Sequence, residues 1–596
     1  MRGSSESAKL PILLSFLLKV VFVIVCCHAV GTEGRTSDDL KVTLPHGGVL
    51  VGRHLFSHSG RGIRAFLGIP YAEPPVGDLR FKPPVPAASW TGERQAVQDS
   101  PICIQRDPFR RDHTIEGSED CLYLNVYTPQ KQDVLGPLSV MVWFHGGGWE
   151  CGAGISAFYG PKYLLDHDVV FVSGNFRLGP LGFLSTETSD CPGNFGLKDQ
   201  VMVLKWVQEN IAAFGGDPSS VTIFGESAGG ASATYHMISP ATRGLFHKAI
   251  IQSGTYFNPW AQPAHKGVPA KRANKVGELL GCNTKPNDWK NLLKCLHGKS
   301  AENITATVYD FFEWDTDPMI PFPPVVEPPS SSAFLSVHPR DVDIPHSISI
   351  PIIVGITSDE GALKSAPLLN LGIGDEFREK FKDVLPIILY YDHHPEEIRD
   401  EITKKINEFY FNEKHDWSKE NHQDLTNLFT DAWFWHGVEE YLMKRLSAPR
   451  KAQAGSTYVY LFNHKAPASF TELFKGGFED YYGVCHAEEL QYLFPLAEQL
   501  FVTAQPTRRD AMLREAMVQM WVNFARIGNP TPEDSGLPTW KPALGHPITY
   551  ARIGSKDPDN WVVLQNEHGL LEERANFWKE INAHLPAAET STRDEL

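Results

Sequence analysis

The chain is poor in positive charge. Its 55 Lys and Arg are outnumbered by 71 Asp and Glu, a formal net charge of −16. Nucleic acid and anionic membrane surfaces reward an excess of cations, so this balance disfavours both as partners. Internal repeats and low-complexity linkers are also missing, which argues against solenoids and strings of small domains. Cysteine is scarce, with nine in 596 residues. Cys26 and Cys27 fall in an apolar run from Leu10 to Cys27 that follows Arg2 and Lys9 and ends at Cys27-His28-Ala29. This reads as a signal peptide over residues 1–29. Lys19 near its middle is costly in a bilayer, and no second apolar run follows Trp578, so no span is expected in the mature chain.

The seven remaining cysteines cannot all pair. Cys103 with Cys121 and Cys282 with Cys295 lie close together in polar segments and are the two expected disulfides of a chain matured in an oxidising compartment. Cys151, Cys191 and Cys485 are expected as small buried hydrophobes. Asn303-Ile304-Thr305 is the single glycosylation sequon, since Pro530 spoils Asn529-Pro530-Thr531. The last four residues, Arg593 to Leu596, resemble endoplasmic-reticulum retrieval signals, with Arg in place of the usual first residue. They imply a KDEL-type retrieval receptor as a partner and a lumenal location, with secretion as the alternative.

What is present is core material, 42% apolar and 11% aromatic. Short apolar runs suited to buried strands occur at Val140–Phe144, Val169–Val172, Val221–Phe224 and Lys248–Gln252, and later at Ile350–Gly355 and Tyr458–Asn463. Leu197, Val201, Leu204, Gln208 and Ile211 mark one helix face, closed by Gly215-Gly216-Asp217-Pro218. Helices are expected at Asp375–Leu385, Asn421–Leu446 and Arg508–Ile527, whereas Asn258 to Asp343 is proline-rich and without clear period. The alternation predicts an α/β fold: one domain over 38–585 around a large, mostly parallel sheet with helices on both faces, then an exposed tail at 586–596.

Chemistry is signalled by Gly225-Glu226-Ser227-Ala228-Gly229, which follows a strand-like run and precedes small residues. A serine lifted on a strained strand-to-helix turn needs such neighbours, because the adjacent backbones pack closely. A serine hydroxyl is a weak nucleophile at neutral pH, so it requires a base, an acid and oxyanion donors. His145-Gly146-Gly147-Gly148-Trp149 offers backbone N–H groups without side-chain obstruction. Phosphate cradling is the rival reading, but the glycines are contiguous and no Gly-Lys-Ser/Thr follows. Trp149 either lines the site beside these glycines or simply packs.

Several further segments resemble the type B carboxylesterases, the cholinesterase-like branch of the α/β-hydrolases. They are Phe66-Leu67-Gly68-Ile69-Pro70-Tyr71-Ala72, Glu119-Asp120-Cys121-Leu122-Tyr123-Leu124-Asn125 and Gly193-Asn194-Phe195-Gly196-Leu197, in the family's order. The likeness is strongest to general carboxylesterases such as those of insects. It implies an α/β-hydrolase fold with helical excursions over an active-site gorge, and no metal or organic cofactor. It also implies Ser227 as nucleophile, Glu360 in Ser358-Asp359-Glu360-Gly361 as acid, and His486 in Gly483-Val484-Cys485-His486 as base. Read from the residues alone, Asp359 is almost as good an acid as Glu360. The oxyanion donors are expected to be Gly147, Gly148 and Ala228, with Glu226 and Ser253 supporting the site from behind.

The resemblance implies a small-molecule ester, with an apolar acyl or alkyl part, as substrate. Arg110-Arg111-Asp112-His113 stands where cholinesterases carry a tryptophan for quaternary ammonium, which argues against a choline ester. Juvenile hormone esterases usually place Gln before the nucleophile, where this chain has Glu226. The alternatives are a juvenile-hormone-esterase-like or scavenger esterase and a non-catalytic adhesion or lumenal binding protein, and the complete set Ser227, Glu360 and His486 weighs against the last.

Overall fold

A computed structural model describes residues 38–584 apart from 109, 111, 132, 134, 283–284, 343–344, 449–454 and 478–479. The expected signal peptide, the Arg593–Leu596 tail and Arg111 lie outside the described residues.

Eleven strands form the central sheet: β1 (Arg53–Phe56), β2 (Gly62–Pro70), β3 (Tyr123–Pro129), β4 (Leu138–Phe144), β5 (Val170–Gly174), β6 (Gly216–Glu226), β7 (Lys248–Gln252), β8 (Ile352–Thr357), β9 (Thr457–Phe462), β10 (Thr549–Ile553) and β11 (Leu564–His568). They lie in the order β1-β2-β3-β5-β4-β6-β7-β8-β9-β10-β11. The six pairings from β5/β4 to β9/β10 are parallel, while β1, β2 and β3 at one edge and β11 at the other run antiparallel to their neighbours. Val140, Val142, Ile223, Phe224, Ile250, Ile353 and Val354 are fully buried. Continuous apolar runs of this kind belong to strands covered on both faces, and helices provide that cover.

The helix Arg508–Ile527 has the bounds its periodicity predicts, because both ends carry stop signals. Thr507 and Asp510 form a reciprocal capping box, and Gly528 takes φ 72° just past the end. Its Trp521 indole donates to Gln252 Oε1 at 3.2 Å, pinning it to the end of β7.

Three expectations need correction. Asp375–Leu385 is two helices, Gly374–Glu379 and Phe381–Ile388, because Lys380 leaves helical geometry at φ −102°, ψ 16°. Asn421–Leu446 holds a π-helical turn at Asp431–Trp435 between Gln423–Thr430 and His436–Leu446. The segment read as aperiodic contains helices Val268–Leu279, Trp289–His297 and Ala301–Ala306. Prolines set outside or at the first turn do not forbid them, and Asp288 and Ser300 cap the last two.

Cys103–Cys121 and Cys282–Cys295 are bonded, and Cys151, Cys191 and Cys485 are free and buried. Asn303 is exposed on the surface of its short helix. Among the described residues no helix is long and apolar enough to cross a membrane.

Candidate active site

Strand β6 stops at Glu226 and the helix Ala228–Ile238 starts at Ala228, which leaves Ser227 alone to make the turn. It does so at φ 56°, ψ −122°, a conformation L-residues avoid and one that holds the side chain off the sheet edge. The turn is locked: Ser227 N–H donates to Gln252 O at 2.8 Å, and its carbonyl accepts from Ala231 N–H at 2.9 Å. Its glycines are obligatory for space. A Cβ on Gly225 would lie 2.6 Å from Phe144 O, and one on Gly230 would lie 2.6 Å from Gln252 O.

The glycine loop after β4 lies against this turn, since a Cβ on Gly146 would stand 3.2 Å from Ser227 Cβ. Gly147 and Gly148 take φ 96° and 64°, the left-handed region that glycine enters without steric cost. Among the described residues their N–H groups donate to no protein acceptor, while Gly147 O accepts from Glu150 and Cys151 N–H at 3.0 Å each. Ala228, as the first residue of its helix, adds an N–H with no intrahelical partner. Gly147, Gly148 and Ala228 thus each carry a backbone N–H that no described protein acceptor takes. Trp149 is wholly buried and donates to Ser232 Oγ at 3.0 Å, so it packs behind the loop.

His486 comes from a loop 259 positions after Ser227, and Glu360 from the turn after β8. His486 Nδ1 lies 2.5 Å from Glu360 Oε2. The other oxygen of Glu360 accepts from Ser253 Oγ at 2.5 Å and Thr357 N–H at 2.7 Å, so the carboxylate is held on three sides. Asp359, its neighbour, points the other way. It accepts from Lys556 Nζ at 2.8 Å and Val484 N–H at 2.9 Å. Burial opposes its ionisation, but Lys556, Ser358 and Val484 together hold its carboxyl below the usual range.

Glu226 Oε1 lies 2.9 Å from His486 Nε2 but outside hydrogen-bond geometry, an ionic contact rather than a directed bond. Burial disfavours the imidazolium, yet the charges of Glu226 and Glu360 outweigh it and hold the His486 pKa above its ordinary value. Protonation of the imidazole on acidification should therefore set in at a higher pH than for a free imidazole. Glu226→Gln removes one of the two carboxylates. The acidic limb of kcat/KM is expected to move to lower pH, and a limb that stays in place would count against this electrostatic role.

Two residues near the imidazole were not signalled by sequence. Phe434, in the π-helical turn, lies 4.5 Å from the His486 ring centroid to centroid. Glu489 accepts from Gln252 Nε2 and Tyr460 at 3.1 Å each. Burial, reinforced by Glu226 and Glu360, pushes its carboxyl up to about 8.

The carboxylesterase family model matches residues 38–578. A juvenile hormone esterase of Tribolium castaneum is 37% identical over 82% of this chain and 84% of its own length. Esterase FE4 of Myzus persicae is 37% identical over 90% of this chain and 92% of its own. The crystal structure of the Manduca sexta juvenile hormone esterase, with OTFP covalently attached, superposes with a TM-score of 0.78 at 29% identity, covering 91% of this chain and 99% of that one. With that similarity along almost its whole described length, the chain belongs to the carboxylesterase family and is a carboxylic ester hydrolase of the α/β-hydrolase fold.

Proposed function

We propose that Ser227 attacks the ester carbonyl while His486 takes its proton and Glu360 orients the imidazole and stabilises its cation. The observation that carries this is the 2.5 Å Glu360–His486 contact, with the other imidazole nitrogen 2.9 Å from Glu226, the residue that precedes Ser227. Gly147, Gly148 and Ala228 N–H groups receive the oxyanion as the tetrahedral centre forms. His486 then protonates the departing alcohol, and water attacks the acyl-serine through the same groups. Ser253 is a positioning residue that acts through Glu360. Ile320, in contact distance of a Cβ on Gly148, and Phe434 border the reacting groups and favour an apolar acyl chain.

An aryl phosphonate tests the assignment, since it mimics the tetrahedral centre and stays on the nucleophile. Complete inactivation is expected at one adduct per chain, with the added mass on the peptide that contains Ser227. Full activity after labelling, or an adduct elsewhere, would sink the assignment.

Two disulfides fit a protein matured in the secretory pathway. We further propose that Arg593–Leu596 engages a retrieval receptor and keeps the protein in the endoplasmic reticulum. Deleting these four residues is expected to raise the secreted fraction, and equal secretion of both forms would remove the idea.

A further inference from the structure

Three side chains gathered at the oxyanion turn carry polar atoms that the protein leaves unsatisfied. Nε and Nη1 of Arg106, Oε1 of Glu150 and the Tyr309 hydroxyl are shut off from solvent without a hydrogen-bond partner. Arg106 is 3% exposed and Glu150 5%. They arrive from separate stretches of chain. Arg106 ends the short strand Gln105–Arg106, Glu150 closes the turn on Gly147, and Tyr309 sits in the 3-10 turn Thr307–Phe311. The guanidinium lies over the Tyr309 ring and 5.0 Å from the Phe312 centroid, and His113 stacks on Tyr309 at 3.7 Å.

Burying an arginine without a carboxylate partner is expensive, because guanidinium does not shed its charge at any ordinary pH, and the Tyr309 and Phe312 rings offset only part of that cost. Arg106 makes no ion pair among the described residues. Glu150 is no adequate counter-ion. Burial pushes its carboxyl up to about 8, against the Phe322 amide, Arg106 and Arg272. Burial thus favours the protonated carboxyl, and the cluster offers donors from Arg106, Glu150 and Tyr309, with Asp107 as the other carboxylate whose charge acts on Arg106. The missing component is an acceptor that bears negative charge. Because Glu150 lies three residues from Gly147, that acceptor would sit within one turn of the oxyanion donors.

We propose that Arg106, Glu150 and Tyr309 form a subsite for a carboxylate carried by the ester substrate, so that the enzyme takes apolar esters with an anionic end, such as half-esters of dicarboxylic acids. The proposal rests on the reading of Ser227 as the nucleophile of an ester hydrolase. Arg106 and Tyr309 hold the carboxylate, the Glu150 hydroxyl completes its shell, and the methylene chain spans from there to the scissile carbonyl.

The test compares 4-nitrophenyl hydrogen adipate, which carries the carboxylate, with its neutral methyl ester, using the full-length protein. The ratio of their kcat/KM values is expected to exceed one in the wild type and to fall at least tenfold in Arg106→Gln, with Arg106→Lys keeping an intermediate ratio. A structural role for Arg106 would lower both rates alike, so an unchanged ratio overturns the subsite. Should Arg106→Gln not fold, competitive inhibition of the wild type by free adipate and not by adipamide supports the subsite, and equal inhibition overturns it. If both esters turn over with one ratio in every protein, the subsite alone falls. If the wild type hydrolyses neither, the hydrolase reading falls and takes the subsite with it.

Discussion

Alanine at position 227 is expected to lower kcat for a short-chain aryl ester by about six powers of ten, the scale seen when the nucleophile of a catalytic triad is deleted. The loss is this large because no other group can form the acyl intermediate. His486 remains to activate water, but the oxyanion donors and bound substrate alone sustain only the residue of catalysis above the uncatalysed rate. The fold should tolerate the change. Alanine needs the same φ of 56° as serine, and the bonds that lock the turn, Ser227 N–H to Gln252 O and Ala231 N–H to Ser227 O, are backbone bonds that the substitution leaves intact. The melting temperature is therefore expected to shift little while turnover disappears. Turnover surviving within a hundredfold of wild type would exclude Ser227 as the nucleophile.

Glu360→Gln is expected to cost about four powers of ten in kcat. The wild-type carboxylate accepts from Ser253 Oγ, Thr357 N–H and His486 Nδ1, three donors and no acceptors. A glutamine offers an NH₂ to at least one of those donors. That leaves a buried donor facing a donor, which costs about 1–3 kcal/mol, or turns the imidazole to the tautomer whose Nε2 carries the proton and cannot accept one from Ser227. The variant also loses one of the two charges that raise the His486 pKa, so its residual activity should extend to lower pH. A pH–rate profile of the variant reads both effects. Asp359→Asn is the matched control, because Asp359 faces Lys556 and Val484 rather than His486. If the control proved as damaging in kcat with folding intact, the acid would have been misassigned.

The site was partly legible in the chain because its backbone demands are severe. A serine turn packed against Phe144 and Gln252 leaves no room for Cβ atoms at Gly225 and Gly230, and a loop at φ 96° and 64° takes glycine most easily. Such positions advertise themselves as runs of small residues. Helix ends were legible where local chemistry enforces them, as with Thr507, Asp510 and Gly528. They were illegible where packing overrides period: no local signal reports the break at Lys380 or the π-helical turn at Asp431–Trp435. That turn is held from outside, with Trp433 O accepting from Asn258 and Trp260 at 2.7 Å each.

Sequence by itself determined the α/β architecture, the positions of the central strands along the chain and the serine turn, because each follows from periodicity or from steric need within a few residues of chain. Only the tertiary structure brings Glu360 rather than Asp359 against His486, although the two are adjacent in sequence and chemically almost alike. The choice depends on Lys556, 197 residues away, drawing one carboxylate aside while Ser253 holds the other toward His486. In the same way Glu226 gains its electrostatic hold on His486, and Arg106 its burial among aromatic rings, from neighbours that long-range packing supplies. Charge, burial and pKa belong to the surroundings of a side chain, and in this protein those surroundings are assembled from segments hundreds of residues apart.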